Sequence, residues 1–137
     1  MLLRREERAL ARGGFTLMEM LVVVAILVVL AGAAVPIYFR YLDQAKVDTA
    51  RVNCKVLSDQ CQAYKLKNGD FPPSLDILAQ PQADGSPPYL EPQSLRDPWG
   101  RPYEYAPQGQ HNALLQKPDI WSQGPRPGDP NGMIGNW

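Results

Sequence analysis

The sequence predicts an α+β fold in which one long amino-terminal helix carries a small antiparallel sheet with long loops. Three observations lead there. Met20 to Phe39 is an uncharged apolar run, and twenty residues of helix rise roughly 30 Å, the thickness of a bilayer core. Beyond it Val47, Ala50, Cys54, Leu57, Cys61 and Tyr64 recur at spacings of three and four among Lys46, Asp48, Arg51, Lys55, Asp59 and Lys65, the pattern of a helix with one buried face. The 14 prolines and 11 glycines fall mostly after residue 68, where short β-like segments replace the helical period.

With 137 residues there is room for one modest domain and one long extra element. The formal net charge is zero, which argues against the basic surface that nucleic-acid binding requires. Cys54 and Cys61 are the only cysteines. Seven residues apart on one helix they are separated by about 10.5 Å of rise, too far for the roughly 7 Å limit of a disulfide, and they read as inert core thiols. His111 is the sole histidine, and no phosphate loop, G-x-S-x-G or His/Cys cluster is present. Asp97 and Glu104 alone do not make an acid/base pair. No catalytic residue is assigned, and the enzyme class is rejected.

The order of elements follows from these patterns. Residues 1–14 form a basic leader, with Arg4, Arg5, Arg8 and Arg12 ahead of the apolar run, and this charge bias predicts a cytoplasmic amino terminus with the rest of the chain exported. Residues 15–39 form the membrane-spanning part of the helix, 40–68 its amphipathic continuation and 69–137 a small globular domain. The helix should run from Phe15 to about Lys67, roughly 80 Å. Pro36 removes one hydrogen bond within it and should loosen it locally. Asn68-Gly69 and Phe71-Pro72-Pro73 stop it. A secretory signal peptide cut after Ala33 is a competing reading. Against it, Phe15, Leu17 and Met18 extend the apolar character upstream of Glu19, and Val35, Ile37, Tyr38 and Phe39 would leave a sticky new terminus. Glu19 interrupts this segment, and a carboxylate inside a bilayer costs roughly 2.5 to 3.5 kcal/mol on insertion scales, so it needs a partner or must snorkel to the headgroups.

Gly13-Gly14-Phe15-Thr16-Leu17-Met18-Glu19 resembles the processing motif of type IV pilins and of the pseudopilins of type II secretion, with Met18 where a branched aliphatic is commoner. The resemblance implies a type IV pilin-like fold, cleavage by a prepilin peptidase between Gly14 and Phe15, methylation of the new Phe15 amine, and a requirement for Glu19 in assembly. It also places Pro36 at an offset where the helix can melt inside a filament. The implied partners are further copies of the chain in a homopolymer, the peptidase, minor pseudopilins and an inner-membrane assembly platform. In such a polymer the Glu19 carboxylate of one subunit neutralises the Phe15 amine of its neighbour and sets the axial register.

In the globular part, Ser74 is a candidate N-cap for a short helix over Leu75 to Ala79, with Asp76 in its first turn. Residues 81–88 read as a loop and Asp97 to Gly100 as a turn. Strands are expected over Tyr103 to Ala106, His111 to Gln116 and Asp119 to Ser122. Trp99, Tyr103, Tyr105, Trp121 and Trp137 are expected as core aromatics. The blocks "LRDPWGRPYEYAPQG", "PDIWSQG" and "IGNW" are similar to the globular domain of major pseudopilins of type II secretion. That likeness implies a structural subunit of a periplasmic pseudopilus, anchored in the inner membrane before assembly. A type IV pilus subunit and a monomeric membrane-tethered binding protein are the other readings. The carboxy-terminal disulfide loop frequent in pilins is absent.

The same resemblance implies a calcium ion in the loop before the final GNW, held by aspartates and backbone carbonyls. Here Arg126 and Met133 stand where aspartates are expected and the loop is shortened, which leaves the Gln123 carbonyl, Asp129 and the Asn131 amide oxygen as candidate ligands. Calcium prefers six to eight oxygens, several of them charged. Pro118, Pro125, Pro127 and Pro130 stiffen the segment instead, by restricting its unfolded ensemble. Asp129-Pro130-Asn131-Gly132 reads as a turn.

Overall fold

The computed structural model describes residues 13–137. The leader arginines Arg4, Arg5, Arg8 and Arg12 lie outside the described residues. One helix, α1, spans Leu17–Asn68 and continues through Pro36. The chain divides into two compact units, the first ending at Phe39 and the second covering Arg40–Trp137.

In the first unit every residue from 13 to 39 is exposed. Leu21, Leu27, Val29 and Phe39 are bare, and the apolar stretch is long enough to cross a membrane. A continuous apolar surface of this kind has to be covered by lipid or by protein. Pro36 has no N–H to return to the Gly32 carbonyl, so the helix is short of one backbone bond in the middle of this surface.

In the second unit the one-sided pattern is realised. Ala50, Cys54, Leu57 and Cys61 are buried along one stripe of α1 while Arg51, Lys55 and Asp59 face out. Cys54, Leu57 and Cys61 form the core with Leu75, Leu78, Tyr103 and Ile120. A single turn of 3-10 helix, Leu75–Ala79, supplies two of these residues, and Ser74 precedes it without a side-chain capping bond. The loop at 81–88 is tied to the end of α1 by the Lys67 ammonium, which donates to Gln82 Oε1 at 2.6 Å and to the Asp84 carboxylate. A further 3-10 turn at Pro92–Leu95 carries no counterpart in the sequence expectations.

Three short strands form an antiparallel meander in the order β1 (Glu104–Ala106), β2 (Asp119–Ser122) and β3 (Ile134–Gly135). The register pairs Tyr105 with Ile120 and Ser122 with Ile134. The first and third expected strands are therefore found, but His111 to Gln116 is not a strand. It is a turn with a 3-10 segment at Ala113–Leu115, ended by Gln116 in the left-handed region at φ 50. The physical reason is the Asp119 carboxylate, which gathers the successive amides of Gln110, His111 and Asn112 and curls the backbone around itself. The missing third strand comes from Ile134–Gly135, whose Ile134 carbonyl accepts the Cys54 thiol at 3.4 Å.

The aromatic expectation is also corrected. Of the five residues only Tyr103 is buried, with its hydroxyl accepting from Asn53 Nδ2 at 3.1 Å. Tyr105 is half-buried and donates to the Pro72 carbonyl at 2.7 Å. Trp137 is exposed by 48% and works by stacking on His111.

Two outcomes test this packing. Leu57→Ala should lower the unfolding free energy by about 2 to 5 kcal/mol in denaturant titration, because the site is closed on all sides and cannot collapse. Burial pushes the Cys54 and Cys61 thiols up to about 12, so both should resist maleimide at neutral pH in the folded chain and react once it is unfolded.

Candidate functional site

The amino-terminal motif is built by the start of α1. Gly13 to Thr16 are non-helical and exposed, so the Gly14–Phe15 bond lies in accessible chain just ahead of the helix. Thr16 is the residue before the helix and Glu19 its third residue. The Thr16 N–H donates to Glu19 Oε2 at 2.8 Å, and the Glu19 N–H donates to Thr16 Oγ1 at 3.2 Å. This reciprocal pair is a capping box, which satisfies two of the orphan amides at a helix start and sets a carboxylate at the positive end of the helix dipole. Glu19 therefore has a partner within its own chain, in addition to any intermolecular one. The signal for it, Thr-x-x-Glu directly before an apolar run, is present in the sequence.

The carboxy-terminal loop is organised by two buried aspartates. Asp97 Oδ1 accepts from the Trp99 and Arg101 amides at 3.0 and 2.8 Å, and Oδ2 accepts from Ser122 Oγ at 2.7 Å. Ser122 Oγ in turn accepts the Gly124 N–H at 3.0 Å. The Arg101 guanidinium donates to the Gly124 carbonyl and lies 3.6 Å from Asp97 Oδ2. Gly124, at φ 68, sits so close to the Gly132 carbonyl that no side chain fits there, and the two glycines pinch the loop shut.

Asp119 anchors the other side. It accepts three consecutive amides, Asn112 Nδ2 at 3.0 Å and His111 Nδ1 at 3.2 Å. Burial opposes its ionisation, and the His111, Asn112 and Gln110 hydrogen bonds outweigh burial, holding the carboxyl below its ordinary value of 3.8. Asn136 completes the block: its Oδ1 accepts from Asn112 Nδ2 and the Ile120 N–H, and its Nδ2 donates to the Pro118 carbonyl. Gly135 leaves room for the Trp137 ring to fold back over it, and that ring stacks on His111 at 4.0 Å. His111 thus serves as a platform for the terminal tryptophan.

Asn131 is not among the residues of the cleft that the other two expected calcium ligands share. Gln123, Asp129 and Met133 line a shallow cleft of about 380 Å³ with Glu104 and Trp121. The Gln123 amide nitrogen donates to Glu104 Oε1 at 3.1 Å. Asp129 Oδ1 caps the short Pro130–Gly132 turn by accepting the Asn131 N–H at 2.9 Å. Of the carbonyls, that of Gly124 is taken by Arg101, that of Arg126 by the Asp129 amide and that of Asp129 by the Gly132 amide. Among the described residues no group of three or more His, Cys, Asp or Glu side chains could hold a metal. Two carboxylates line the cleft, Glu104 and Asp129, each with one oxygen already engaged, by the Gln123 amide and by the Asn131 N–H, which falls short of the charge and ligand number calcium needs.

A bare apolar helix with a capped acidic first turn, continuing into an amphipathic half under a small antiparallel sheet, defines the pilin-like class of structural subunits. Residues 10–35 match the model of the prokaryotic N-terminal methylation motif. Residues 38–137 match that of the type II secretion system protein G. The chain belongs to the protein G family of type II secretion systems. It is similar to type II secretion system core protein G of Pseudomonas aeruginosa, 35% identical over 92% of this chain and 95% of that protein. The corresponding protein of Dickeya chrysanthemi is 34% identical over 90% of this chain and 85% of its own length. That of Klebsiella pneumoniae is 35% identical over 90% and 93%. The family is one of structural pseudopilins and is not an enzyme family.

Because the folded-state value of Asp119 is depressed, its contribution to stability is complete above about pH 4 and is lost as pH falls through the folded value. Asp119→Asn should therefore lower stability at neutral pH by about 1 to 3 kcal/mol and flatten the acid limb of the stability profile, as read by denaturant unfolding across a pH series.

Proposed function

We propose that the chain is a precursor cut between Gly14 and Phe15 by a prepilin peptidase, methylated on the Phe15 amine, and assembled through α1 into a periplasmic pseudopilus that drives protein export. The observation that carries this reading is the motif at the start of α1: an exposed non-helical Gly14–Phe15 junction, then Thr16 and Glu19 closing the first turn of a helix that is apolar and bare to Phe39. Before assembly the apolar part sits in the inner membrane with its amino end in the cytoplasm. Minor pseudopilins and the assembly platform are its further partners.

The capping box gives Glu19 a place to wait. In the lone subunit its carboxylate is stabilised by the Thr16 amide and the helix dipole. In the filament core it pairs with the Phe15 amine of a neighbour, where an unpaired charge of either sign is costly. Pro36 lies in the same apolar stretch, and its missing hydrogen bond allows the helix to loosen there as subunits stack. The family match over residues 38–137 favours secretion over a type IV pilus, and a monomeric tether would have no use for an accessible cut site.

Two measurements test the reading. Mass analysis of the chain from native membranes should find a mature terminus at N-methyl-Phe15, and an uncut Gly14–Phe15 bond would overturn the proposal. Glu19→Gln keeps an acceptor for Thr16 but removes the charge. Membrane insertion should persist while filament formation is abolished, and normal filaments from this variant would refute the register role.

A further inference from the structure

We propose that the Arg101 guanidinium is the resident cation of the carboxy-terminal loop, so that this chain holds the loop and strand β3 closed without calcium. A metal ion in such a loop would collect carboxylate and carbonyl oxygens from segments far apart in sequence. Arg101 does this with its own charge: it donates to the Gly124 carbonyl and lies 3.6 Å from Asp97 Oδ2, whose side chain is fully buried. The Arg101 side chain is 28% exposed, and its Nε is buried without a hydrogen-bond partner, so the guanidinium acts through its outer nitrogens. Its carbon stands 5.9 Å from the centre of the Trp99 ring, which shields one face.

Both backbone groups of Gly124 are therefore held, the N–H by Ser122 Oγ and the carbonyl by Arg101. Gly124 abuts the Gly132 carbonyl, two residues ahead of Ile134, so fixing Gly124 fixes the entry into β3. The residues flanking the loop agree with this division of labour. Arg126 and Met133 add no negative charge, Asp129 is engaged in capping the Pro130–Gly132 turn, and Gln123 is bonded to Glu104. A planar five-donor cation that stays charged at any working pH is also one that a chelator cannot remove.

The test uses the full chain in detergent micelles, with thermal unfolding followed by tryptophan fluorescence in millimolar calcium or in excess chelator. The wild type should give the same Tm in both. A rise in Tm with calcium would overturn the proposal. Arg101→Gln leaves Asp97 buried without its cation and should lower Tm by roughly 10 °C or more, with no recovery on adding calcium. An unchanged Tm, or recovery with calcium, would refute the resident-cation role. If Arg101→Gln does not fold, hydrogen exchange on the wild type decides: Gly124 and Ile134 amides should be equally protected with calcium and with chelator, and protection that depends on calcium would again overturn it.

Discussion

A helix that leaves one apolar end bare and shelters a stripe of the other under a protein domain has to solve two solvation problems with one backbone. Among the described residues nothing covers the side chains from residue 15 to 39, and from Ala50 onward the buried stripe is narrow and one-sided. Everything else in the molecule follows from this division. The first part must find hydrophobic cover outside the subunit, in a bilayer or in other copies. The second part needs only enough polypeptide to shelter one stripe, which is why three strands of two to four residues suffice.

So small a domain cannot rely on core area alone, and it compensates with buried polar anchors. Asp97 and Asp119 each bind several backbone amides of a nearby turn, and Asn136 joins β2, the Asn112 turn and the Pro118 carbonyl. Each anchor has its hydrogen bonds satisfied, the condition under which buried polar groups specify a single arrangement. The sequence blocks that resemble the secretion family are these anchors: the aspartate of DPWG, the aspartate of PDIWS and the asparagine of GNW.

How much of this was legible depended on the range of the forces involved. The amphipathic stripe of α1, the helical turn at Leu75–Ala79 and strand β2 are encoded by local pattern and were read from it. The His111 to Gln116 segment was not, because its conformation is decided by a carboxylate seven to nine residues away that competes with strand pairing. Ile134–Gly135 is too short to show any alternation. Trp137 was expected inside because tryptophan is large and apolar, whereas its partner is another surface ring. At the amino end the Thr16–Glu19 spacing is a local signal in the sequence, and the same carboxylate is open to a local and to an intermolecular partner. In the loop, the replacement of expected aspartates by Arg126 and Met133 was plain in the sequence. That Arg101, more than twenty residues earlier, would supply a cation to the same place depended on tertiary approach.

Strand β3 reaches back to Cys54 across eighty residues of chain. A polypeptide emerging amino end first must therefore present the naked stripe of α1 long before its closing strand is made. During that interval the domain is an open sheet with one edge unfilled, the form most prone to pair with the wrong neighbour. Late arrival of the 134–136 segment thus acts as a checkpoint: only a chain that has already formed β3 can seal the domain.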